Sequence, residues 1–219
     1  MSSERPCDPK AWLEALEEKN WRCEPKSEEE AYEVQRKVTE VAKEVWGDVL
    51  GWKAALTGKS TQELFGGGPI YGPLFEKGFL GTESKVGLKK LTDPLLEPEI
   101  MWCEGSWFLA FEIPDNRYGK PWKELNYLEL IADLAGSYKV VVGRDEISEL
   151  KGKAVLKTPN ETIQVDIDVE KVERSLKFLK DKGLEGCLLL GTIIPPQKPE
   201  EGTYTLECCG ARVSVTLFR

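Results

Sequence analysis

Residues 95–113 read LLEPEIMWCEGSWFLAFEI, two strand-like runs on either side of a short polar link. Side chains of a strand alternate between its two faces, so Glu97 and Glu99 share one face of the first run. The other face of that run carries the apolar side chains of Leu96, Ile100 and Trp102. The second run contains Glu112, and the sequence therefore predicts a β-hairpin that carries three carboxylates.

The link between the two runs sets which residues lie opposite each other. A two-residue loop that begins with glycine is typical of a type II′ turn, so Gly105-Ser106 is the predicted turn. That register puts Glu99 directly opposite Glu112, with Glu97 next along on the same face. Like charges opposite each other destabilise a sheet, so such a cluster needs a cation or a shared proton. Oxygen ligands of this kind suit Mg²⁺, Mn²⁺ or Ca²⁺.

Two interpretations of these glutamates are open at this point. Acidic residues are abundant, with 38 Asp and Glu in 219 residues, and surface strands often carry them. Ordinary surface charge is therefore one interpretation, and a slip of one residue in the pairing would turn Glu112 to the opposite face. The other interpretation is a metal site, and the rest of the chain bears on the choice.

The overall composition excludes several classes of function. The net charge of −8 is unfavourable for nucleic-acid binding, which depends on a basic surface. No apolar run is long enough to span a bilayer, and residues 1–6 lack the apolar segment of a signal peptide, so a cytoplasmic protein is expected. The chain has no histidine. A Ser-His-Asp or Cys-His system is thus excluded, and any general acid or base is Glu, Asp, Lys, Tyr, Cys or water.

Six cysteines are present, and none form a CxxC pair. With no histidine either, a structural zinc site is not expected. In a cytosolic protein most of these cysteines should be reduced thiols that pack as small apolar side chains. High Glu and Lys with few Asn, Gln and Met is typical of hyperthermophile proteins, in which intracellular disulfides occur. Cys7 and Cys23 are then the least constrained candidate pair.

Periodicity along the chain predicts an α+β layout with helices first and mostly antiparallel strands after them. Asp8 caps the first helix, and a capping box formed by Ser27 and Glu30 begins the second, which ends at Gly47. The predicted helices cover 8–19, 27–47, part of 122–136, and 169–182. The predicted strands outside the glutamate hairpin cover 49–57, 138–143, 153–157, 162–167, 187–191, 203–206 and 211–217.

Six segments match, in order, the motifs of one protein family. They are EAYEVQ at 30–35, GWKAALTGK at 51–59 for G-[YW]-K-x-x-L-T-S-K, YGPLF at 71–75 for [FY]-G-x-L-F, EPEI at 97–100 for the E-x-E-I metal element, AFEIPDNR at 110–117 for A-L-E-[IV]-x-[DG]-S-R, and IADLAGS at 131–137 for A-D-N-x-S. The chain thus resembles the fumarylacetoacetate hydrolase superfamily. The similarity is greatest to its 2-keto-4-pentenoate hydratase and oxalocrotonate decarboxylase branch, over most of 28–219.

The resemblance implies a mixed β-roll fold with an N-terminal helical portion over 1–48 and a catalytic-type β-roll over 49–219. It implies Mg²⁺ or Mn²⁺ held by Glu97, Glu99 and Glu112. The substrate would be a small 2-oxo or 2-hydroxydienoate acid, as in aromatic catabolism. Such an acid chelates the metal, which stabilises the enolate formed during reaction. The family's assembly habits imply a homo-oligomer.

The same resemblance implies roles for further residues. Lys53 would bind the substrate or assist proton transfer, and Thr57 and Lys59 would bind the substrate. Arg117 would pair with a carboxylate at the site, although a plain surface salt bridge is an equal alternative. Asp133 would orient groups at the site or simply end a helix.

The sequence departs from the family pattern at three places. Ile70 stands where the hydratase branch has an acid, Leu134 replaces the family's Asn, and the glycine-rich loop before the late helix is missing. The absent histidine removes the water-activating His-Glu pair of the hydrolase branch. The leading hypothesis is therefore a metal-dependent hydratase or decarboxylase. The alternative is a non-catalytic metal- or ligand-binding homologue or a partner subunit that has lost part of the site.

Overall fold

The computed structural model describes residues 7–219, so the first six residues of the predicted N-terminal portion lie outside it. The helices are α1 (Pro9–Glu18), α2 (Glu28–Trp46), α3 (Lys59–Phe65), α4 (Tyr127–Ala132) and α5 (Val169–Asp181). The strands are β1 (Val49–Ala55), β2 (Ile70–Phe75), β3 (Phe79–Gly81), β4 (Ser84–Gly87), β5 (Glu97–Cys103), β6 (Ser106–Ile113), β7 (Lys139–Ile147), β8 (Lys153–Lys157), β9 (Thr162–Asp166), β10 (Cys187–Thr192), β11 (Gly202–Cys208) and β12 (Ala211–Phe218). No helix among these described residues has the length and apolar character needed to cross a bilayer.

The strands form two sheets, and the predicted α+β class is confirmed. One sheet has seven strands in the order β2-β1-β10-β5-β6-β7-β3, and the other has five in the order β4-β12-β11-β8-β9. Three pairs are parallel, namely β1 with β10, β3 with β7, and β4 with β12. The glutamate hairpin, β5 and β6, therefore lies in the middle of the larger sheet, where both strands have neighbours on each side.

The main apolar core fills the space between the two sheets, where β12 packs across β6 and β7. Leu109, Phe111 and Ile113 of β6 point into it and are completely buried. Because side chains alternate along a strand, Ala110 and Glu112 point to the opposite face of the sheet. The hairpin thus has one face in the core and one face that carries the glutamates.

The N-terminal helices pack on a second apolar cluster, which also contains Ile70 and Phe75 of β2. The predicted caps are present: Asp8 accepts a hydrogen bond from the Lys10 amide, and Ser27 accepts one from the Glu30 amide. The Glu30 carboxylate, however, accepts from the amide of Lys26 rather than that of Ser27. The division at residue 48 stays a prediction.

The predicted Gly105-Ser106 turn is wrong. The two turn residues are Glu104 and Gly105, both in the left-handed region with φ of 51° and 92°. This is the signature of a type I′ turn, whose twist matches that of the flanking strands. Glu97 therefore pairs with Glu112, and Glu99 pairs with Ala110. Because the pairing differs from the predicted one by two residues, an even number, the predicted common face of the three glutamates survives the change of register.

The segment 122–136 contains one short helix between two 3₁₀ turns rather than a single longer helix. α4 begins at Asn126, whose side chain forms a capping box with Glu129. Short 3₁₀ turns flank it on both sides, and left-handed backbone at Leu134 and Ala135 prevents it from continuing. The short helix α3 was not predicted, whereas α5 and the hairpins β8–β9 and β11–β12 are confirmed.

The cysteines depart from the expectation that most are reduced. The candidate pair Cys7–Cys23 is bonded, and so is Cys103–Cys187. The second bond arises because β5 and β10 are antiparallel neighbours in which Trp102 pairs with Leu188. One position further along this pairing, Cys103 of β5 lies opposite Cys187 of β10. Their Cα atoms are 4.2 Å apart. That contact depends on strand order, which the spacing of cysteines along the sequence does not reveal.

Candidate metal centre

Three glutamates converge on the face of the hairpin that points away from the core between the sheets. Glu97 of β5 lies opposite Glu112 of β6, and Glu99 follows on the same face of β5. One carboxylate oxygen from each lies within 4.8 Å of the others. Glu99 and Glu112 are buried, while Glu97 is partly exposed. The structure therefore brings together the three residues that the sequence singles out as metal ligands.

Strand β10 supports Glu99 from its other side. The Gly191 amide donates a hydrogen bond to Glu99 Oε2 at 2.9 Å. Gly191 has a φ of +84°, and a Cβ built there would lie 2.6 Å from Oγ1 of Thr57. Both the backbone conformation and the close approach of Thr57 thus favour glycine. Thr57, predicted to bind substrate, lies beside the residue that orients Glu99.

Lys53 of β1 is 2% exposed and forms an ion pair with Glu112 Oε1. Burial alone would lower the pKa of the Lys53 ammonium, but Glu112, Glu97 and Glu99 outweigh it, so the pKa is raised. Lys53 is therefore a charged ammonium in contact with the carboxylate cluster, and its catalytic role stays a prediction.

The carboxylates themselves resist ionisation in the absence of a further cation. Burial and the neighbouring Glu112 raise the pKa of Glu97 to about 7. Burial, Glu112 and Glu97 raise the pKa of Glu99 well above its usual value. Burial also raises the pKa of Glu112, against the opposing effect of Lys53. All three shifts have the direction expected for like charges confined in a poorly solvated site.

A divalent cation fits this set of donors. Three ionised carboxylates and one ammonium leave two negative charges, which such an ion balances. Glu112 Oε2 is buried and has no hydrogen-bond partner among residues 7–219, and a buried polar atom without a partner is costly. The donors are all oxygen atoms, which suit Mg²⁺ and similar hard cations. The buried positions of Glu99 and Glu112 argue against ordinary surface charge.

Arg117 and Asp133 lie together in a different place, within a buried network. Arg117 Nε donates to Asp133 Oδ1 at 2.6 Å, and the Arg117 amide donates to Asp133 Oδ2 at 2.8 Å. Trp12 Nε1 also donates to Asp133 Oδ1, at 2.7 Å. The Arg117 guanidinium donates further to the carbonyls of Asp115 and Ser137.

These contacts hold Arg117 and Asp133 in the interior of the fold, away from the glutamate triad. The Arg117 side chain is not exposed at all, so the surface salt bridge considered for it is wrong. Asp133 is the residue that ends α4, which was one of the two roles predicted for it. A substrate contact by either residue stays a prediction. Lys59, the first residue of α3, is exposed, and its role in substrate binding is likewise untested.

Lys171 is a residue near the site that sequence reasoning missed. It lies in the first turn of α5, and its Nζ donates to the carbonyl of Thr192 at 2.6 Å. Thr192 in turn pairs with Glu99 across β10 and β5. Burial lowers the pKa of Lys171, and the nearby Glu99, Asp168 and Glu97 oppose that effect. The helix was predicted, but only the unpredicted pairing of β10 with β5 brings this lysine close.

Two of the three departures from the family pattern, Ile70 and Leu134, lie in apolar surroundings. Ile70 and Leu134 are 1% and 0% exposed, and both belong to the cluster beneath the N-terminal helices. Leu134 has a φ of 58°, a conformation in which asparagine is better tolerated than leucine. Neither side chain supplies a proton-transfer group.

Comparisons with known proteins support the fold. No protein-family model matches the sequence, and no curated protein matches it. Among solved structures, 4-oxalocrotonate decarboxylase from Pseudomonas putida G7, complexed with magnesium and adipate, has a TM-score of 0.80 at 19% identity, covering 96% of this chain and 95% of that one. The same enzyme complexed with calcium and acetate has a TM-score of 0.77 at 19% identity, with the same coverage.

A more distant neighbour is 5-carboxymethyl-2-hydroxymuconate delta-isomerase from Mycobacterium smegmatis. Its TM-score is 0.53 at 10% identity, covering 78% of each chain. The protein therefore has the fold of the decarboxylase over nearly its whole length. The predicted mixed β-roll with N-terminal helices is confirmed.

Proposed function

We propose that this chain is a divalent-metal-dependent lyase of the fumarylacetoacetate hydrolase superfamily, a hydratase or decarboxylase acting on a small 2-oxo or 2-hydroxydienoate acid. The observation that carries the proposal is the buried triad of Glu97, Glu99 and Glu112, with oxygens within 4.8 Å of one another and one buried oxygen without a partner. Its support from outside the chain is a fold neighbour that was solved with magnesium and a dicarboxylate, adipate.

The residues present suit this chemistry. Glu97, Glu99 and Glu112 would hold Mg²⁺ or Mn²⁺, which supplies a Lewis acid that polarises a 2-oxo group and favours an enolate. The Gly191 amide fixes the orientation of Glu99. Lys53 holds a proton at Nζ beside Glu112, in a position with almost no access to water. Lys53 would be the group that holds or moves a proton beside the metal during the reaction.

The absence of histidine narrows the reaction class. Hydrolysis in this superfamily relies on a His-Glu pair that activates water, and this chain contains no histidine. Addition of water or loss of CO₂ needs instead a stabilised enolate and a proton donor. A lyase is thus favoured over a hydrolase.

A second candidate is a metal- and acid-binding protein without turnover, or a subunit that supports an active partner. The observation that favours it is the burial of Ile70 and Leu134 in the apolar cluster, since neither position offers the polar group expected there. Incubation of the purified chain with a 2-hydroxydienoate and Mg²⁺ separates the two. Sustained turnover by the chain alone excludes the non-catalytic candidate.

The first test is a thermal melt of EDTA-stripped protein titrated with Mg²⁺, with and without oxalate as a mimic of a 2-oxo acid. A ligand that binds only the folded state adds about 2.7 kcal/mol at a hundredfold excess over its Kd. We expect Mg²⁺ to stabilise the protein and oxalate to add to this only when Mg²⁺ is present.

Matched variants make the test specific to the triad. Glu99→Gln keeps the acceptor for the Gly191 amide but removes a ligand charge, and should abolish the Mg²⁺ shift. Glu104→Gln changes an exposed glutamate in the turn of the same hairpin and should keep it. Equal Mg²⁺ shifts in wild type and Glu99→Gln would show that the triad is not the metal site.

A further inference from the structure

Two adjacent cysteines lie at the turn of the β11–β12 hairpin, outside the metal centre. All six cysteines fall within residues 7–219, and Cys208 and Cys209 are the two that form no disulfide there. Their Sγ atoms are nevertheless 2.6 Å apart, closer than two sulfur atoms in van der Waals contact. The pair is therefore a dithiol, whose two sulfur atoms can react with the same partner.

The backbone of the turn brings the two sulfur atoms together. Successive side chains of a strand point to opposite faces, so neighbouring cysteines in an extended chain keep their thiols apart. Cys208 ends β11 and pairs with Ala211, while Cys209 and Gly210 form the two-residue turn, with φ of 54° and 81°. The left-handed conformation of Cys209 breaks the alternation. Asn, Asp and Gly are the usual residues at this position of a type I′ turn, so the turn itself gives no reason for a cysteine.

The two thiols differ in their surroundings. Cys209 Sγ donates to the Lys151 carbonyl at 3.2 Å, which leaves the Cys208 S–H to donate to Cys209 Sγ. Cys208 is 5% exposed and packs in the main core, whereas Cys209 is partly exposed. Burial and the hydrogen bond to Cys209 raise the pKa of the Cys208 thiol to about 12. Because the thiolate is the reactive form, Cys208 by itself is a poor nucleophile.

A small molecule can reach the pair from the solvent. A Cβ built at Gly210 meets no atom within 4 Å, so the space beside the turn is open. Lys151 and Gly152, next to Cys209, are exposed as well. The turn joins two strands of the five-stranded sheet, whereas the glutamate triad lies on the seven-stranded sheet. Chemistry at the dithiol is therefore separate from chemistry at the metal centre.

We propose that Cys208 and Cys209 form a thiol–disulfide exchange site, which reacts with low-molecular-weight disulfides and is itself oxidised to a vicinal disulfide. Cys209 Sγ, as the thiolate, attacks one sulfur of the external disulfide, whose S–S bond breaks and releases one thiol. Cys208 Sγ then attacks Cys209 Sγ in this mixed disulfide, which forms the Cys208–Cys209 bond and releases the second thiol. The two cysteines lose two electrons and two protons, and the external disulfide gains them.

A bond between adjacent residues should be easily reversed. Cα atoms joined by a trans peptide bond are about 3.8 Å apart, less than the roughly 4.4–6.8 Å of an ordinary disulfide. Strain of this kind makes a disulfide more reducible. Oxidation also withdraws the Cys209 S–H from the Lys151 carbonyl, so the redox state of the pair alters the contact between this turn and the loop that joins β7 to β8.

The experiment equilibrates the full chain with mixtures of reduced and oxidised glutathione, blocks the remaining thiols by alkylation and weighs the fragments by mass spectrometry. Cleavage after Glu207 releases residues 208–219, which contain no other cysteine. The mass of this fragment distinguishes the dithiol, the vicinal disulfide and a glutathione adduct. In wild type the vicinal disulfide should become the main form as the share of oxidised glutathione rises, and reduced glutathione should restore the dithiol.

Two matched variants test the order of attack. Cys208→Ala should stop at a mixed disulfide between Cys209 and glutathione, because the second thiol is missing. Cys209→Ala should acquire glutathione at least about tenfold more slowly than Cys208→Ala, because the remaining thiol is buried and its thiolate is scarce. Circular dichroism checks that both variants fold, and the wild-type measurement decides the proposal if either does not.

Reversible formation of the vicinal disulfide in wild type, with a glutathione adduct in Cys208→Ala, supports the proposal. A wild-type chain that keeps both thiols at every glutathione ratio, or that stops at an adduct on Cys209, overturns it. The measurement uses neither a metal ion nor a 2-oxo acid, so its result is independent of the proposed lyase function.

Discussion

The Arg117–Asp133 network and the glutamate triad are both buried, and they differ in how completely their charges are satisfied. In the Arg117–Asp133 network, one positive charge meets one negative charge, and both oxygens of Asp133 accept hydrogen bonds. In the glutamate triad, three carboxylates face one ammonium, and Glu112 Oε2 has no partner within the described residues. The first group is complete as it stands, whereas the second becomes complete only with a cation. Burial of charge therefore points to a cation site here only where partners are missing.

The largest effect should come from breaking the complete group. Arg117→Met leaves Asp133 buried and unpaired, which should lower the free energy of unfolding by about 3–5 kcal/mol. Urea denaturation measures this free energy. Arg117→Lys keeps the charge but not the planar donors, so its free energy of unfolding should lie between those of wild type and Arg117→Met. Addition of Mg²⁺ should not restore stability to Arg117→Met. A variant as stable as wild type would show that the network contributes nothing.

Removing the ammonium from the glutamate triad should lower the free energy of unfolding by less, and Mg²⁺ should restore the loss. Lys53→Met removes the ammonium beside Glu112 and should lower metal-free stability by about 2–3 kcal/mol, less than Arg117→Met because the carboxylates can take up a proton. Mg²⁺ should restore this loss, and turnover of any accepted substrate should disappear. The comparison fails if Mg²⁺ rescues both variants or neither, as judged by melts with and without the ion.

The pH dependence of the stability of the metal-free protein should reveal the excess of negative charge in the glutamate triad. Folding raises the pKa of Glu97 from 4.5 to about 7, so the folded state binds more protons than the unfolded state between these pH values. Stability therefore falls as the pH rises through this window.

Relative to Glu97→Gln, wild type should lose about 2 kcal/mol between pH 4.5 and pH 7, after allowance for partial exposure of Glu97. Denaturation curves of both proteins across this range give the difference. Saturating Mg²⁺ should reverse its sign, because the ion favours the ionised form. A difference that does not vary with pH would mean that Glu97 ionises normally.

A smaller effect is expected where β10 supports the triad. Gly191→Ala forces a left-handed alanine and a contact with Thr57, whereas Gly210→Ala forces a left-handed alanine with nothing within 4 Å. We expect Gly191→Ala to be less stable than Gly210→Ala by about 1 kcal/mol. It should also bind Mg²⁺ more weakly, since the donor to Glu99 moves, while Gly210→Ala keeps wild-type affinity. Equal Mg²⁺ affinity in Gly191→Ala and Gly210→Ala would show that β10 does not contribute to the metal site.

The smallest effect should come from Lys59, which is exposed at the start of α3. Lys59→Gln should change the free energy of unfolding by less than about 0.5 kcal/mol, as is usual for surface positions. The affinity of the Mg²⁺-loaded protein for oxalate should also be unchanged. A clear loss of oxalate binding in this variant would instead support the substrate contact predicted from the sequence.

The sequence predicted the common face of Glu97 and Glu99 because alternation along a strand is a local property, and Glu112 joins them only because the pairing differs from the predicted one by an even number of residues. It did not predict their pairing, since that depended on whether Glu104 adopts a left-handed conformation, which glutamate does only rarely. Lys171 and the Cys103–Cys187 bond escaped for another reason. Both depend on β10 lying between β1 and β5, an order set by packing over long sequence distances. The homo-oligomeric state, cytoplasmic location and thermophilic origin stay predictions.

The Cys103–Cys187 bond has a consequence for the persistence of the site. It joins β5, which carries Glu97 and Glu99, to β10, which carries the donor Gly191. The covalent loop that it closes spans 84 residues and includes β6 to β9, α4 and α5. When any of these elements opens transiently, the two strands stay joined at one end and cannot slide past each other or diffuse apart. Each closing event then starts from strands already side by side, so the carboxylates return to the same register.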